Sequence, residues 1–337
     1  MAFASTAVYV LVKIVIGRTQ PLATMAAGKI RIGTRGSPLA LAQANETRER
    51  LLAAHPGLKQ EAIEIVPLST KGDRITDRTL VELGGKGLFT EEIEAALLSE
   101  DLDMAVHSMK DMPTVLPDGL EIACILPRED ARDAFICNKA TSLADLPEGA
   151  LVGTASLRRQ AQILHLRPDL RVEAFRGNVQ TRLRKLEEGR ADATILAMAG
   201  LNRLGLADIP AAIFSVGEML PAVSQGAIGI EARSGDDRMQ SILRPLNDAD
   251  TALCVDAERS LLLTLDGSCR MPIGGHARLT AEGALHLRAE ILSPDGTQRF
   301  FEERSGDPSE AETIGIEAGG VLRAAAGAEF FAALENA

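Results

Sequence analysis

The sequence predicts an α/β protein of three domains, two α/β and a small α+β third. Three observations lead there. Between residues 29 and 232, short β-rich runs alternate with helical patterns across short connections, which is the pattern of parallel α/β sheets. From residue 248 the pattern changes to one long helix followed by runs separated by tight turns. The length, 337 residues, exceeds what a single hydrophobic core usually organises.

In order, "KIRIGT" reads as a strand, with Ser37 as N-cap and Pro38 at the first position of a helix that "HPG" stops after about Ala54. "EAIEIVPL" (61–68) is the next strand, "FTEEIEAALLSE" (89–100) a helix capped by Thr90, and "DMAVHS" (103–108) a strand. A second set comprises "DAFIC" (133–137), "LVGTAS" (151–156), a helix over 157–167, "VEAF" (172–175), a helix over 178–188 and "DATILAMAG" (192–200). "QGAIGIEA" (225–232) is a further strand whose glycines imply close approach of another backbone or a ligand. Residues 248–265 read as a helix, 276–303 as antiparallel strands turning at "AEG" and "PDG", and about 308–335 as a final helix.

Apolar residues make up 46% and charged residues 25%, as in soluble globular proteins. Aromatics reach only 3%, with no Trp and one Tyr, which excludes a base-stacking surface for single-stranded nucleic acid. The net charge of −11 also disfavours a nucleic-acid partner. Basic residues are nonetheless concentrated: residues 153–190 hold nine Lys or Arg against four Asp or Glu, whereas 281–337 hold four against eleven. Such a local excess suits a small anion. The four cysteines, at 124, 137, 254 and 269, show neither a CxxC pair nor a zinc spacing, and reduced thiols in a cytoplasmic protein are expected. Residues 1–28 lack any acid; their apolar run is too short to span a bilayer and lacks the basic start of a signal peptide. They read as a leader: disordered, a weak targeting segment, or sequence upstream of a start at Met25.

Three junctions share one design. "GTRGSPLALAQ" (33–43), "GTASLRRQAQ" (153–162) and "RGNVQTRLRKL" (176–186) each run from a strand through Gly and a capping Ser or Asn into a helix. Arg35, then Arg158 and Arg159, then Arg176 and Arg182 stand at them. Unpaired N–H groups at a helix start attract anions, and arginine adds a fork that grips a carboxylate or phosphate. "GGKGLFTEE" (84–92) fits neither phosphate-loop pattern, leaving Lys86 as one cation on a glycine-rich segment, a flap or anion contact or simply a loop.

"AVHSMKDMP" (105–113) places His107, Lys110 and Asp111 just beyond an apolar strand, where α/β sheets bind ligands. His107 by itself reads as a satisfied core histidine, and Asp111 as either a turn residue or an anion suited to stabilising a cation. Cys269, in "LDGSCRMPIGGHA" (265–277), is a thiol on a glycine-rich loop, able to carry a group covalently or simply inert. His276 is its nearest candidate base in sequence, which leaves a thiol-dependent hydrolase as one rival. A solute-binding protein for anions is the other.

Taken together, "IRIGTRGSPLALAQA", "GGKGLFTEEIEAALL", "DMAVHSMKDMP", "REDARDAFI", "VGTASLRRQAQ", "RGNVQTRL", "LAMAGLNRLGL", "PAVSQGAIGIE" and "GSCRMPIGGHA" resemble the porphobilinogen deaminase (hydroxymethylbilane synthase) family of tetrapyrrole biosynthesis. They stand in that family's order from residue 29 to about 280. The resemblance implies two domains of type 2 periplasmic-binding-protein fold with the active cleft between them. The expected division is 29–128 with 221–246, then 129–220, then a C-terminal cofactor-carrying domain over 247–337.

The resemblance further implies a dipyrromethane cofactor on Cys269 through a thioether. Asp111 is then the catalytic carboxylate, and Lys110, Thr154, Ser156, Arg158 and Arg159 hold the cofactor. Arg35, Ser37, Lys86, Arg176, Arg182 and Arg203 bind the acetate and propionate groups of porphobilinogen. Four substrate molecules would each lose ammonia and join head to tail before water releases hydroxymethylbilane. No metal, nucleic acid or membrane is implied, and a monomer is expected. Ser224 departs from the pattern by standing where the family commonly has glycine.

Overall fold

The structure, a computed structural model, describes residues 29–74, 90–265 and 271–335. Lys86, Cys269 and the leader 1–28 lie outside the described residues.

The first lobe holds β1 (Ile30–Arg35), α1 (Pro38–Ala54), β2 (Ile63–Leu68), α2 (Lys71–Arg74), α3 (Glu91–Leu98), β3 (Met104–Ser108) and β4 (Leu120–Ile125). The second holds β5 (Asp133–Cys137), β6 (Leu151–Gly153), α4 (Leu157–Leu166), β7 (Arg171–Glu173), α5 (Val179–Glu187), β8 (Ala193–Ala197), α6 (Met198–Arg203) and β9 (Ala212–Ile213). The chain then returns to the first lobe with β10 (Ile228–Arg233) and α7 (Asp237–Leu243). It ends in α8 (Ala249–Thr264), β11 (Ile273–Leu279), β12 (Leu285–Leu292), β13 (Arg299–Gly306) and α9 (Ala311–Glu335).

The two lobes repeat one layout. Strand order is β2-β1-β3-β10-β4 in the first sheet and β7-β6-β8-β5-β9 in the second. In each, three strands run parallel, and the strand that follows a crossing between lobes, β10 or β5, runs antiparallel to both neighbours. Three neighbouring strands in each sheet thus pair in parallel as the alternation predicts, and one antiparallel strand per sheet is added to that reading. Apolar periodicity reports that a strand is buried but not its direction, and a chain arriving from the other lobe enters its sheet from the opposite end. The run "DATILAMAG" is likewise divided: β8 stops at Ala197 and residues 198–203 turn into α6.

Three of the predicted caps form, whereas Thr90 stands at the N-cap of α3 without a side-chain capping bond. Ser37 accepts from the Ala40 N–H, Ser156 from Arg159 and Asn178 from Thr181, each fixing the start of its helix. Beneath them lie apolar cores, among them Ile30, Ile32, Met104, Val106, Ile228 and Ile230 in the first lobe and Phe135, Val152, Ile163 and Ile195 in the second. Gly229 of β10 makes room for Met109: a β-carbon there would stand 2.0 Å from the Met109 sulfur. The predicted close approach of another backbone occurs at Gly226, where a β-carbon would stand 2.3 Å from the Glu129 carbonyl oxygen, while Gly229 seats the turn that follows β3.

The third domain packs α8 and α9 on one sheet, in the order β11-β12-β13. It grips both crossings between the lobes through one buried carboxylate. Glu258 accepts from Arg128 Nη1 at 2.6 Å and Nη2 at 3.1 Å, and from the Ser224 and Ala277 N–H groups. Ser224 adopts φ 61°, the left-handed region that glycine occupies at low cost and other residues at roughly 1–2 kcal/mol.

Candidate functional site: a cation-rich cleft between the lobes

Asp111 ends a single 3-10 turn, Met109–Asp111, beyond the last residue of β3. Met109 and Met112 are buried on either side, packed with Ile125, Ala227 and Val255, so Lys110 and Asp111 are held on an anchored turn. Asp111 is exposed and lines a cavity together with Arg35, Ser37, Gln43, Thr90, His107 and Ser108. Gln43 Nε2 donates to Ser108 Oγ at 2.8 Å, joining α1 to the end of β3 on the cavity wall. His107 is the satisfied core histidine its surroundings suggested: its Nε2 lies 3.0 Å from Oε2 of the fully buried Glu231.

The second lobe brings its arginines from three directions. Arg158 and Arg159, in the first turn of α4, are almost wholly buried and share Asp133. Arg158 Nη2 lies 2.7 Å from Asp133 Oδ2, and Arg159 donates to Oδ1 through Nη2 at 2.7 Å and Nε at 3.2 Å. Arg158 Nη1 also donates to the Leu220 carbonyl, and Arg159 Nη1 to that of Ile195. Burial alone would push the Asp133 carboxyl up. The two guanidiniums, with a hydrogen bond from Gln225, outweigh it and hold the group well below the usual carboxylate range.

Lys110 donates to Gln225 Oε1 at 3.3 Å. Burial lowers its ammonium to about 8; Arg158 and Arg159 push the same way, against Asp111 and Asp133. Arg182 donates through Nε to the Gly177 carbonyl and lies in the electrostatic reach of Asp111, Arg159 and Arg176. Burial lowers it to about 10, helped by Arg159 and Arg176. Arg176 Nη1 is buried and has no hydrogen-bond partner among the described residues.

Other expected residues take structural partners. Thr154 is buried, its Oγ1 accepting from the Ser156 N–H, so it shapes the turn into α4. Arg203 Nε donates to Glu46 Oε2 at 3.0 Å and Nη2 to the Gly226 carbonyl at 3.1 Å, a tie between α6 of one lobe and α1 of the other. Asp133, Gln225, Gln43 and Glu46 were not singled out in the sequence. Only Asp133 carried a local signal, a charged residue opening an otherwise apolar strand.

His276 is an unpromising base for a thiol. Burial pushes it down to about 4, despite Glu258 nearby, so it holds a proton too weakly to take one from a sulfhydryl at neutral pH. Among the described residues no helix is long and apolar enough to cross a membrane.

Fold and geometry together define a two-lobed α/β protein with a third, clamping domain, a first-lobe cavity bearing one exposed carboxylate, and a second-lobe guanidinium, Arg182, within reach of that charge. The chain belongs to the porphobilinogen deaminase family. Residues 30–241 match the family domain described as "Porphobilinogen deaminase, dipyromethane cofactor binding domain", and residues 252–324 match "Porphobilinogen deaminase, C-terminal domain". The porphobilinogen deaminase of Nitrobacter hamburgensis is 55% identical over 94% of this chain and 97% of its own. That of Paracoccus denitrificans is 56% identical over 90% and 96%, and the chloroplastic enzyme of Oryza sativa subsp. japonica 56% over 91% and 86%. Among solved structures, a periplasmic substrate-binding protein of an ABC transporter from Coxiella burnetii is 14% identical over 65% of this chain and 92% of its own, with a TM-score of 0.41.

The residues present fit the family's dipyrromethane, whose rings carry acetate and propionate groups. Arg176 holds a buried N–H without a described acceptor, and Lys110 and Arg182 carry charges that burial disfavours and an anion would relieve.

Proposed function

We propose that this chain deaminates porphobilinogen and joins four molecules head to tail on a dipyrromethane held by the Cys269 sulfur, releasing ammonia and, by hydrolysis, hydroxymethylbilane. One observation supports this beyond family membership. Asp111 shares a cavity with Arg35 and Ser37 of the first lobe, and Arg182 of the second lobe, beside Arg159 and Arg176, lies within its electrostatic reach.

In this reading the arginines neutralise the acetate and propionate groups, two per ring, which is why a small substrate meets so many cations. Lys110, Arg158 and Arg159 hold the cofactor's carboxylates, with Thr154 and Ser156 shaping the helix start below them. Arg35, Ser37, Lys86, Arg176, Arg182 and Arg203 serve the incoming ring; Arg203 does so only by loosening its contact with Glu46. The bound cofactor supplies a nucleophilic pyrrole α-carbon. Asp111 accepts hydrogen bonds from pyrrole N–H groups and opposes the positive charge that builds on the substrate as its ammonia leaves. The anchored turn below Asp111 holds that charge in place, so little reorganisation accompanies the step.

The division into 29–128 with 221–246, 129–220 and 247–337 is supported by the three separate sheets. The reading includes a cytoplasmic monomer: both lobes and the third domain come from one chain, and the three described cysteines are buried and unpaired. A solute-binding protein would need no thiol at 269 and has no support from the family matches.

The test is intact mass. The purified protein is expected to exceed its chain mass by a two-ring adduct mapped to Cys269, and the Cys269→Ser variant to lack it. Active protein with an unmodified thiol at 269 refutes the reading.

A further inference from the structure

We propose that Glu290, on β12 of the third domain, is a positioning residue that sets how strongly Arg158 grips a ligand carboxylate. Glu290 is 1% exposed. Its Oε2 accepts from Arg299 Nε at 2.8 Å, while its buried Oε1 has no hydrogen-bond partner among the described residues. Gly274 stands directly opposite on β11. A β-carbon there would lie 3.2 Å from Glu290 Oε1 and 3.1 Å from the Leu220 β-carbon, so the carboxylate and Leu220 both close on the same face of Gly274. The Leu220 carbonyl accepts from Arg158 Nη1 at 2.7 Å, and Arg158 Nε is itself buried without a described partner.

A buried carboxylate of one domain thus stands across Gly274 from Leu220, whose carbonyl is engaged by a buried guanidinium of another. Opposite charges in so little water attract across such a gap. Burial lowers the Arg158 value, and Glu290 stands beside Asp133 among the groups that oppose this. A second contact keeps the two domains in register. The turn after β12 docks on α4, where Gln160 Nε2 donates to the Pro294 carbonyl and His165 Nδ1 lies 2.9 Å from that of Gly296. Arg158 begins that same helix.

Arg158 is therefore shared between Asp133 in its own lobe and Glu290 in the third domain. Each carboxylate offsets part of its charge, so a ligand carboxylate meets a moderated cation. A growing polyanion that must shift past Arg158 benefits from a grip that can be released.

This inference rests on the proposed function, and stopped-reaction mass spectrometry separates the two. Wild-type protein should show adducts rising by one ring at a time; their absence sinks the functional reading itself. Given that ladder, Glu290→Gln removes the charge at nearly constant shape. It should lower KM for porphobilinogen and kcat, each by roughly fivefold, and enrich partly extended adducts, whereas Glu290→Asp should restore wild-type values. Arg299→Gln, at a half-exposed residue, leaves Glu290 with one fewer competitor and should shift KM upward. A wild-type ladder and KM in Glu290→Gln, a loss of thermal stability alone, or a KM in Arg299→Gln that stays level or falls each overturns the role of Glu290. Should Glu290→Gln fail to fold, the sign of the Arg299→Gln shift decides.

Discussion

Asp133 and Arg159 form a buried, two-pronged ion pair: Nη2 and Nε of the arginine both reach Oδ1, at 2.7 and 3.2 Å, and the carboxylate is 0% exposed. With Arg158 on its other oxygen, Asp133 is the counter-ion that allows two guanidiniums to lie side by side beneath the cleft. Removing one member of such a set leaves uncompensated buried charge.

Asp133→Asn should therefore destabilise the protein by about 3–5 kcal/mol, read as a lower midpoint in urea. Its pH dependence has a definite sign. The folded-state value is depressed, so the stabilisation is complete above the unfolded value of about 3.9 and is lost as pH falls below it. Between roughly pH 5 and 3 the variant should lose less stability than the wild type. Parallel losses would show that Asp133 is not the titrating group.

Lys110, lowered to about 8, should make ligand binding sensitive to alkali. Above that pH the cofactor-free site loses a positive charge, so uptake of dipyrromethane by cofactor-free protein should weaken as pH passes through about 8. In folding the sign is opposite: the folded state holds its proton less tightly than the unfolded chain, so this group favours folding more as pH climbs from about 8 towards 10.5. Lys110→Arg should remove that inflection in cofactor uptake, and an unchanged profile would assign it elsewhere.

Among the described residues Asp111 has no ion pair, and it is exposed on an anchored turn. Asp111→Asn should leave the unfolding free energy within about 0.5 kcal/mol of wild type while turnover falls on the order of a hundredfold or more. Near-normal turnover would remove Asp111 from the chemistry.

Cys124 is pushed up to about 12 and Cys254 to about 11, in both cases by burial first, and Cys137 is buried as well. Thiolate is the reacting form, so at pH 8 native protein should take up at most one alkyl label. Cofactor-free protein should take it at Cys269, and loaded protein should take none. Labelling of Cys124 or Cys254 without denaturant would contradict their placement.

Much of the fold was legible because its signals are local. Ser37, Ser156 and Asn178 each lie three residues before the N–H they cap, and Pro38, Gly189 and the "PDG" turn act on their immediate neighbours. The direction of β5 and β10 was not legible, since it depends on which lobe the chain is leaving. Nor was the partner of His107, which lies 124 residues away at Glu231, or that of Arg203, 157 residues away at Glu46.

The linear chain determined where helices begin, which runs are buried and that arginine gathers at three helix starts. Tertiary structure decided what each of those charges is for. Arg158 and Arg159 are tied down by Asp133, Arg203 is held by Glu46, and Arg182, beside Arg176, lies within reach of Asp111. The reason is physical: capping and periodicity act over a few residues of backbone, whereas the strength of a charge depends on its distance to every other charge and on the water removed around it.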